Sequence, residues 1–326
     1  VQTEAIRIHE HGGPEVLRYE SVDVGELGAT ELLVRQAAIG LNFADVYQRK
    51  GQSGPHETTS FPVTLGSQGA GIVEAVGNEV TNVRVGARVG YVRPGAYSKI
   101  VRIPAARAVE LPADFSLEVA AASLLRGLTA QYLLRRLFKI VPGSRMLVHA
   151  AAGGMGTILS QWGKALGAEV FGTVGTPAKA EIAFQHNCDH VINYSSEDFV
   201  ARVGEITRGE GVDVVYDAVG KAVFIPSLAC LRPMGMAINY GAASGPVGAF
   251  DIQLLHKKSL IVSRPTLRTY IARREDLVAS ATEFFAAVSS GAVRISINKR
   301  YAWTDAQRAH IDLETRQTTG ASILLP

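Results

Sequence analysis

Cysteine is nearly missing from this chain: Cys188 and Cys230 are the only two in 326 residues. A disulfide framework is excluded, a reducing compartment is favoured, and a four-cysteine structural zinc site cannot be built. Charge of one sign is lacking too. Thirty-three Lys and Arg against thirty Asp and Glu leave a net charge of +3 with both signs interleaved, so no basic stripe suited to nucleic acid is present. Long apolar runs are also absent. The opening VQTEAIRIHEHGG carries acids and histidines where a secretory signal needs an apolar stretch, and the run 119–134 is broken by Arg126 and too short to cross a bilayer. These absences predict a soluble cytoplasmic protein that has neither nucleic acid nor membrane as a partner. Internal repeats and low-complexity segments are not evident. What remains is a chain 47% hydrophobic and long enough for two domains.

The first part, to about residue 111, holds short apolar runs between Gly and Pro: ELLVRQAAIG, GAGIVEAVG, ARVGYV and AYSKIVRI read as strands. One helix interrupts them, LNFADVYQRKG, with Asn42 as N-cap, Asp45 three residues on, and Gly51 as terminator. From residue 116 the pattern changes to a long helical stretch, SLEVAAASLLRGLTAQYLLRRLF, ended by Pro142-Gly143. Strands at 146–150, 170–174, 191–194, 212–218, 236–240 and 260–262 then alternate with helices at 155–166, 177–185, 199–207 and 222–231. Apolar strands joined by helical crossovers predict an α/β fold with a doubly wound parallel sheet. The tail adds a helix at 274–290, a further helix and a closing strand, and breaks that rhythm. It is expected to return to the amino-terminal part, giving one domain from 1–124 with 264–326 and a nucleotide domain at 125–263.

The stretch AAAGGMG at 150–156 places Ala151, Gly153 and Gly156 in an A-x-G-x-x-G turn between strand and helix. The middle glycine lets a pyrophosphate approach the backbone, the last lets the helix pack close, and the helix's free N–H groups face the phosphates. Such a turn alone is a weak signal, but the strand before it, the helix after it and the second strand beyond point to a dinucleotide site. An NAD site places a carboxylate after that second strand. Between Phe171 and Lys179 there is none, whereas Lys179 and the hydroxyls of Thr173 and Thr176 are present. An ammonium gains a charge-assisted contact to a 2′-phosphate that a carboxylate would repel. The reading is NADPH; the alternative for Lys179 is a solvated first-turn lysine.

With those residues read, the chain resembles the zinc-independent quinone oxidoreductases, the ζ-crystallin-like branch of the medium-chain dehydrogenases/reductases. The resemblance is carried by GGPEVL, GLNFADVY, GAGIVEAVG, GLTAQYLL, the glycine turn, QWGKALGA, GTVGT, VINY, VVYDAVG and SRPTL, and spans nearly the whole chain. It implies a GroES-like β-rich catalytic domain, a Rossmann domain, a cleft between them, and a homodimer whose sheet extends across the subunits near residues 235–265. It places Asn42, Asp45, Tyr47 and Thr129 at the nicotinamide end and Gly153, Gly154, Met155 and Gly156 at the pyrophosphate. Thr173, Lys179 and Tyr194 fall around the adenosine phosphate, Gly241, Ala242, Ala243 and Ser244 along the cofactor, and Arg316 on the returning tail. Structural alternatives stay open: Asn42 and Asp45 have capping-box spacing, Tyr47 suits a wall, Thr129 suits a hydroxyl bonded to its own helix, and aromatics such as Tyr194 often close strands.

Two departures matter. Zinc alcohol dehydrogenases carry an early catalytic cysteine and a Gly-His-Glu signature, where this chain has Gly66-Ser67-Gln68 and no cysteine in its first part. His56 and Glu57, adjacent in a Gly/Ser/Thr-rich loop, make a poor ligand pair, so no metal is expected. Relatives also carry a cleft tyrosine after the VYxRxG segment, where QRKGQSGPHETTSFP has none. The expected reaction is metal-free hydride transfer from NADPH to a quinone, with the developing oxyanion stabilised by Asn42, Tyr47 or Arg264. The rival readings are NADPH-dependent reduction of activated alkenals or enones by the same residues, and a cofactor-binding protein with little catalysis.

Overall fold

The computed structural model describes residues 1–52, 60–315 and 318–326. The chain divides into two compact units. Val1–Gly127, Arg273–Phe285 and Ile295–Pro326 form the first, and Leu128–Ala272 with Ala286–Arg294 form the second.

The first unit opens with β1 (Gln2–Ile8), β2 (Arg18–Asp23), β3 (Glu31–Gly40), α1 (Phe43–Arg49), β4 (Val63–Thr64), β5 (Gln68–Val76), β6 (Arg88–Val92), β7 (Ile100–Pro104) and β8 (Ala108–Glu110). A small antiparallel sheet has the order β2-β1-β4, and β3 pairs with both β5 and β7 in a larger one. Strand β3 alternates as a half-buried strand must, with Leu32, Val34, Gln36 and Ala38 inward and Arg35 and Ala37 outward. β2 escapes the sequence reading because it buries none of its residues fully and its charges mask the alternation.

Helix α2 (Leu117–Tyr132) precedes β9 (Arg145–His149), α3 (Gly154–Ala165), β10 (Glu169–Val174), α4 (Pro177–Gln185), β11 (His190–Asn193), α5 (Phe199–Ile206), β12 (Val212–Asp217), α6 (Phe224–Cys230), β13 (Leu231–Asn239) and β14 (Ile261–Ser263). The expected helix at 116–138 is shorter, because Leu133–Leu137 widen into a π-turn before Phe138 turns extended. The second unit's six strands are all parallel, in the order β11-β10-β9-β12-β13-β14. Helices on both faces explain why Met146, Leu147 and Val148 are 0% exposed in succession. The order reverses between β9 and β12, and the carboxyl ends of those strands form the switch point where such sheets hold ligands.

The chain continues through α7 (Leu267–Tyr270), α8 (Arg274–Ser289), β15 (Ile297–Ala302), α9 (Ala306–Glu314) and β16 (Ala321–Leu325). β16 pairs antiparallel with β3, Ile323 opposite Gly40, so the tail completes the first unit's sheet. The protein thus joins a β-rich unit to a doubly wound α/β unit.

Candidate active site

In the second unit the glycine turn sits at the carboxyl end of β9. Ala150 takes a positive φ of 55°, and its carbonyl accepts from Gly153 N at 2.9 Å. A side chain at Gly156 would overlap that carbonyl and stand 2.7 Å from Ala151 Cα, so only glycine lets α3 begin here. The N-cap is Gly153, which has no side chain to occupy the first-turn N–H groups of Gly154, Met155 and Gly156. Gly153, Gly154 and Met155 are half-buried. This is a cradle of donors at the positive end of a helix, and a pyrophosphate fits it by charge and by space.

At the end of β10 the structure gathers most of the residues expected around the adenosine phosphate. Thr176 caps α4 by accepting from Lys179 N at 3.3 Å, and Lys179 is half-buried in that first turn. A Cβ at Gly175 would lie 2.5 Å from the Tyr194 hydroxyl, and Ser195 donates to the Gly175 carbonyl at 2.9 Å, so Tyr194 lies against the same loop. Thr173 is elsewhere. Its side chain is buried under the sheet, and its hydroxyl meets His149 Nδ1 at 2.8 Å. Sequence reading grouped it with Thr176 because a strand buried on both faces carries no polarity to show which way a hydroxyl points.

Two further loops are pinned at the ends of β12 and β13. Asp217 Oδ1 accepts from Val219 N and Gly220 N at 2.7 and 2.9 Å, and Asn239 Nδ2 donates to Asp217 Oδ2 at 2.8 Å and to the Gly241 carbonyl at 2.9 Å. Burial raises the Asp217 carboxyl despite these donors. Ser244 is spent on structure: its hydroxyl donates to Val219 O at 2.8 Å and accepts from Ala222 N at 3.0 Å. Gly241 and Ala242 are half-buried and Ala243 is exposed. Arg264 is exposed and donates to Asn239 O at 3.0 Å, beside the same loop. Thr129 is buried in α2.

In the first unit Asn42 and Asp45 bracket the start of α1. Asn42 N donates to Asp45 Oδ2 at 2.9 Å, the reciprocal half of a capping box. Asp45 is nonetheless more than a cap. It is 0% exposed, takes the Ser67 hydroxyl on Oδ1 and the Tyr97 hydroxyl on Oδ2 at 3.1 Å, and burial pushes its pKa up to about 6 against these donors and the nearby Arg126 charge. With both oxygens engaged, Asp45 acts through its neighbours. Asn42 is 4% exposed and its Nδ2 is a buried donor without a partner among the described residues, an unspent hydrogen bond that suits a carbonyl oxygen. Tyr47 is half-buried one turn beyond, its ring tilted against Phe43.

Sequence reading missed Ser67, Tyr97, His310, His149 and the Asp217–Asn239 pair. Tyr97 meets His310 Nε2 at 3.0 Å, and Arg49 Nη1 donates to His310 Nδ1 at 3.1 Å, across 213 and 261 residues of sequence. No local pattern signals such contacts. Asp217 was within reach, because an acid ending an apolar strand beside a glycine is a buried charge that needs partners. Arg316, His56 and Glu57 lie outside the described residues. Among those described, no group of three or more His, Cys, Asp or Glu is arranged to hold a metal ion, and burial pushes the Cys188 and Cys230 thiols up to about 11 and about 12.

Residues 28–113 match the family model for the alcohol dehydrogenase GroES-like domain, and residues 154–287 that for zinc-binding dehydrogenase. The chain is therefore a two-domain medium-chain dehydrogenase/reductase. It is 46% identical to a quinone oxidoreductase of Pseudomonas aeruginosa over 98% of its length and 99% of that protein's, and 42% identical to a 2-haloacrylate reductase of a Burkholderia species, with 98% of each covered. The crystal structure of the Escherichia coli quinone oxidoreductase complexed with NADPH superposes with a TM-score of 0.95 at 44% identity, covering 99% of this chain and 100% of that one. This chain belongs to the quinone oxidoreductase family.

Proposed function

We propose that this protein is an NADPH-dependent quinone reductase that works without a metal. The observation that carries the reading is 46% identity to a quinone oxidoreductase over nearly the full length, combined with a glycine cradle and, at the start of α4, Lys179 in place of a carboxylate. The nucleotide domain at 125–263 holds the coenzyme. Gly153, Gly154, Met155 and Gly156 give N–H groups to the pyrophosphate, Lys179, Thr176 and Tyr194 serve the 2′-phosphate end, and the loop at Gly241, Ala242 and Ala243 lies along the nucleotide. Arg316 is assigned to it from the returning tail, and Thr129 to the nicotinamide end. Bound NADPH supplies the hydride. A quinone is already electrophilic, so the protein's work is to orient it, exclude water and offer donors to the oxygen that gains charge. Asn42 Nδ2 and the Tyr47 hydroxyl are those donors, with Arg264 as a supporting cation.

The catalytic domain is 1–124 with 264–326. Among the described residues no helix is long and apolar enough to cross a membrane, and we place the protein in the cytoplasm. β14 lies at the edge of the parallel sheet with Ile261 49% exposed, and a second copy pairing there would form a homodimer and cover that edge. Reduction of an activated carbon–carbon double bond is the second reading, favoured by the full-length match to the 2-haloacrylate reductase. An acceptor screen tests both: 1,4-benzoquinone and 9,10-phenanthrenequinone against 2-alkenals and 2-haloacrylates, each with NADPH and NADH. Quinone turnover with NADPH preferred is the expected result; turnover confined to the alkenes replaces it with the second reading.

A further inference from the structure

Around Asp45 the hydrogen bonds have only one consistent direction. Arg49 has donors alone, so His310 Nδ1, which it meets at 3.1 Å, is the acceptor. Burial and the Arg49 charge push His310 down to about 3, so the ring is neutral and its single proton sits on Nε2. That N–H donates to the Tyr97 oxygen at 3.0 Å, and the Tyr97 hydroxyl then donates to Asp45 Oδ2. Asn42 N donates to the same Oδ2. Oδ2 is thus committed to two donors, and any proton that Asp45 takes up must sit on Oδ1. Among the described residues Oδ1 faces one group, the hydroxyl of half-buried Ser67 at the entry to β5.

We infer that Asp45 and Ser67 form a two-group proton relay, aimed at an oxygen held by the unpartnered Asn42 Nδ2, which completes the reduction of the quinone. The inference rests on the quinone-reductase reading. Hydride transfer leaves a hydroquinone monoanion. The Ser67 O–H bond breaks and its proton passes to the anionic oxygen; the Asp45 Oδ1–H bond breaks and its proton passes to Ser67 Oγ. After the hydroquinone leaves, the relay resets in reverse: a proton from water passes to Ser67 Oγ as the Ser67 O–H proton returns to Asp45 Oδ1. One proton is consumed and no electrons move in this step. Ser67 touches substrate in this scheme; Asp45 and Tyr97 are positioning residues. Among the described residues, the charged and titratable groups that face Asp45 are Tyr97 and the guanidinium of Arg126, which is held by Leu41 O and Ala122 O. His310, Arg49 and Glu314 stand behind Tyr97. Burial sets the Asp45 pKa near 6, where a carboxyl group can both give and regain a proton in neutral solution.

Two measurements test this. Infrared titration of the protein without coenzyme should show a protonated carboxyl band disappearing as pH rises through about 6, absent in Asp45→Asn. Tyr97→Phe removes a donor from the carboxylate and should move that titration upward by about one pH unit. In steady state with NADPH and a quinone, kcat should fall up to tenfold per pH unit above the same midpoint. Ser67→Ala should lower kcat at pH 7.5 at least tenfold and abolish that slope with the Kd for NADPH unchanged, and Ser67→Thr should restore it. A Ser67→Ala enzyme with the wild-type pH profile overturns the relay, as does a carboxyl band that ignores Asp45→Asn and Tyr97→Phe. Failure of the wild type to turn over any quinone would instead sink the functional reading, which the infrared titration does not depend on.

Discussion

Acidification from pH 7 to pH 5 should weaken the coenzyme unit far more than the β-rich unit. His149, at the end of β9, is 1% exposed and bonded at both ring nitrogens, to Thr173 Oγ1 and, at 2.7 Å, to Ser227 Oγ. Burial pushes its pKa down from 6.5 to about 3. The unfolded chain takes up a proton there near pH 6.5 and the folded unit does not, so stability present at neutral pH is lost as pH falls. Integrated from pH 7 to 5, the loss is about 2 kcal/mol. Asp217, raised by burial, works the other way and makes this figure a ceiling. In the β-rich unit His310, also pushed down to about 3, loses the same amount. There, however, Asp45 titrates near 6 when folded and near 3.8 when unfolded, so over this interval the folded state takes up a proton first. That returns about 1 kcal/mol and leaves a net loss of about 1 kcal/mol or less.

The chain's two tryptophans make the difference measurable. Trp162 lies in the coenzyme unit and Trp303 in the β-rich unit, at 5% and 8% exposure. Trp303→Phe and Trp162→Phe each leave one reporter, and urea midpoints followed by fluorescence at pH 7, 6 and 5 give the two slopes. The Trp162 midpoint should fall at least about twice as far as the Trp303 midpoint, following the two losses. His149→Gln should flatten the Trp162 slope. A Trp162 midpoint that stays put, or that moves no further than the Trp303 midpoint, refutes the reasoning.

Lys179→Ala should raise the Kd for NADPH about 10- to 100-fold, the worth of one charge-assisted hydrogen bond, and leave that for NADH within about twofold by calorimetric titration. An equal loss for both nucleotides would mean that Lys179 serves only the fold. Gly156→Ala drives a methyl into the Ala150 carbonyl and should cost about 1–3 kcal/mol of stability with loss of coenzyme binding. A variant with unchanged Tm and NADPH affinity would show that the cradle has slack that its geometry denies.

What could be read from the chain and what could not divide along the range of the interaction. The α3 glycine turn, the strand–helix alternation and the Asn42–Asp45 spacing are written within a few residues, where backbone geometry and capping leave a compositional trace. The π-turn after Tyr132 and the exposed strand β2 are local as well, but their physical signature is weak, since strong helix formers or alternating charges fit other conformations equally well. Asp45 shows the limit most clearly. Its spacing to Asn42 encodes a helix start, and that is what the structure contains. The property that gives the carboxyl a chemical role is its complete burial beneath Ser67, Tyr97 and, at one remove, His310 and Arg49. Each of those residues taken alone reads as an ordinary surface or core position. A buried carboxyl must be satisfied by whatever the tertiary fold brings to it, so its pKa and the direction of its proton are properties of contacts as distant as Asp45 and His310 along the chain. Local sequence can therefore name such a residue, and only the fold can say which of its two oxygens can take up a proton.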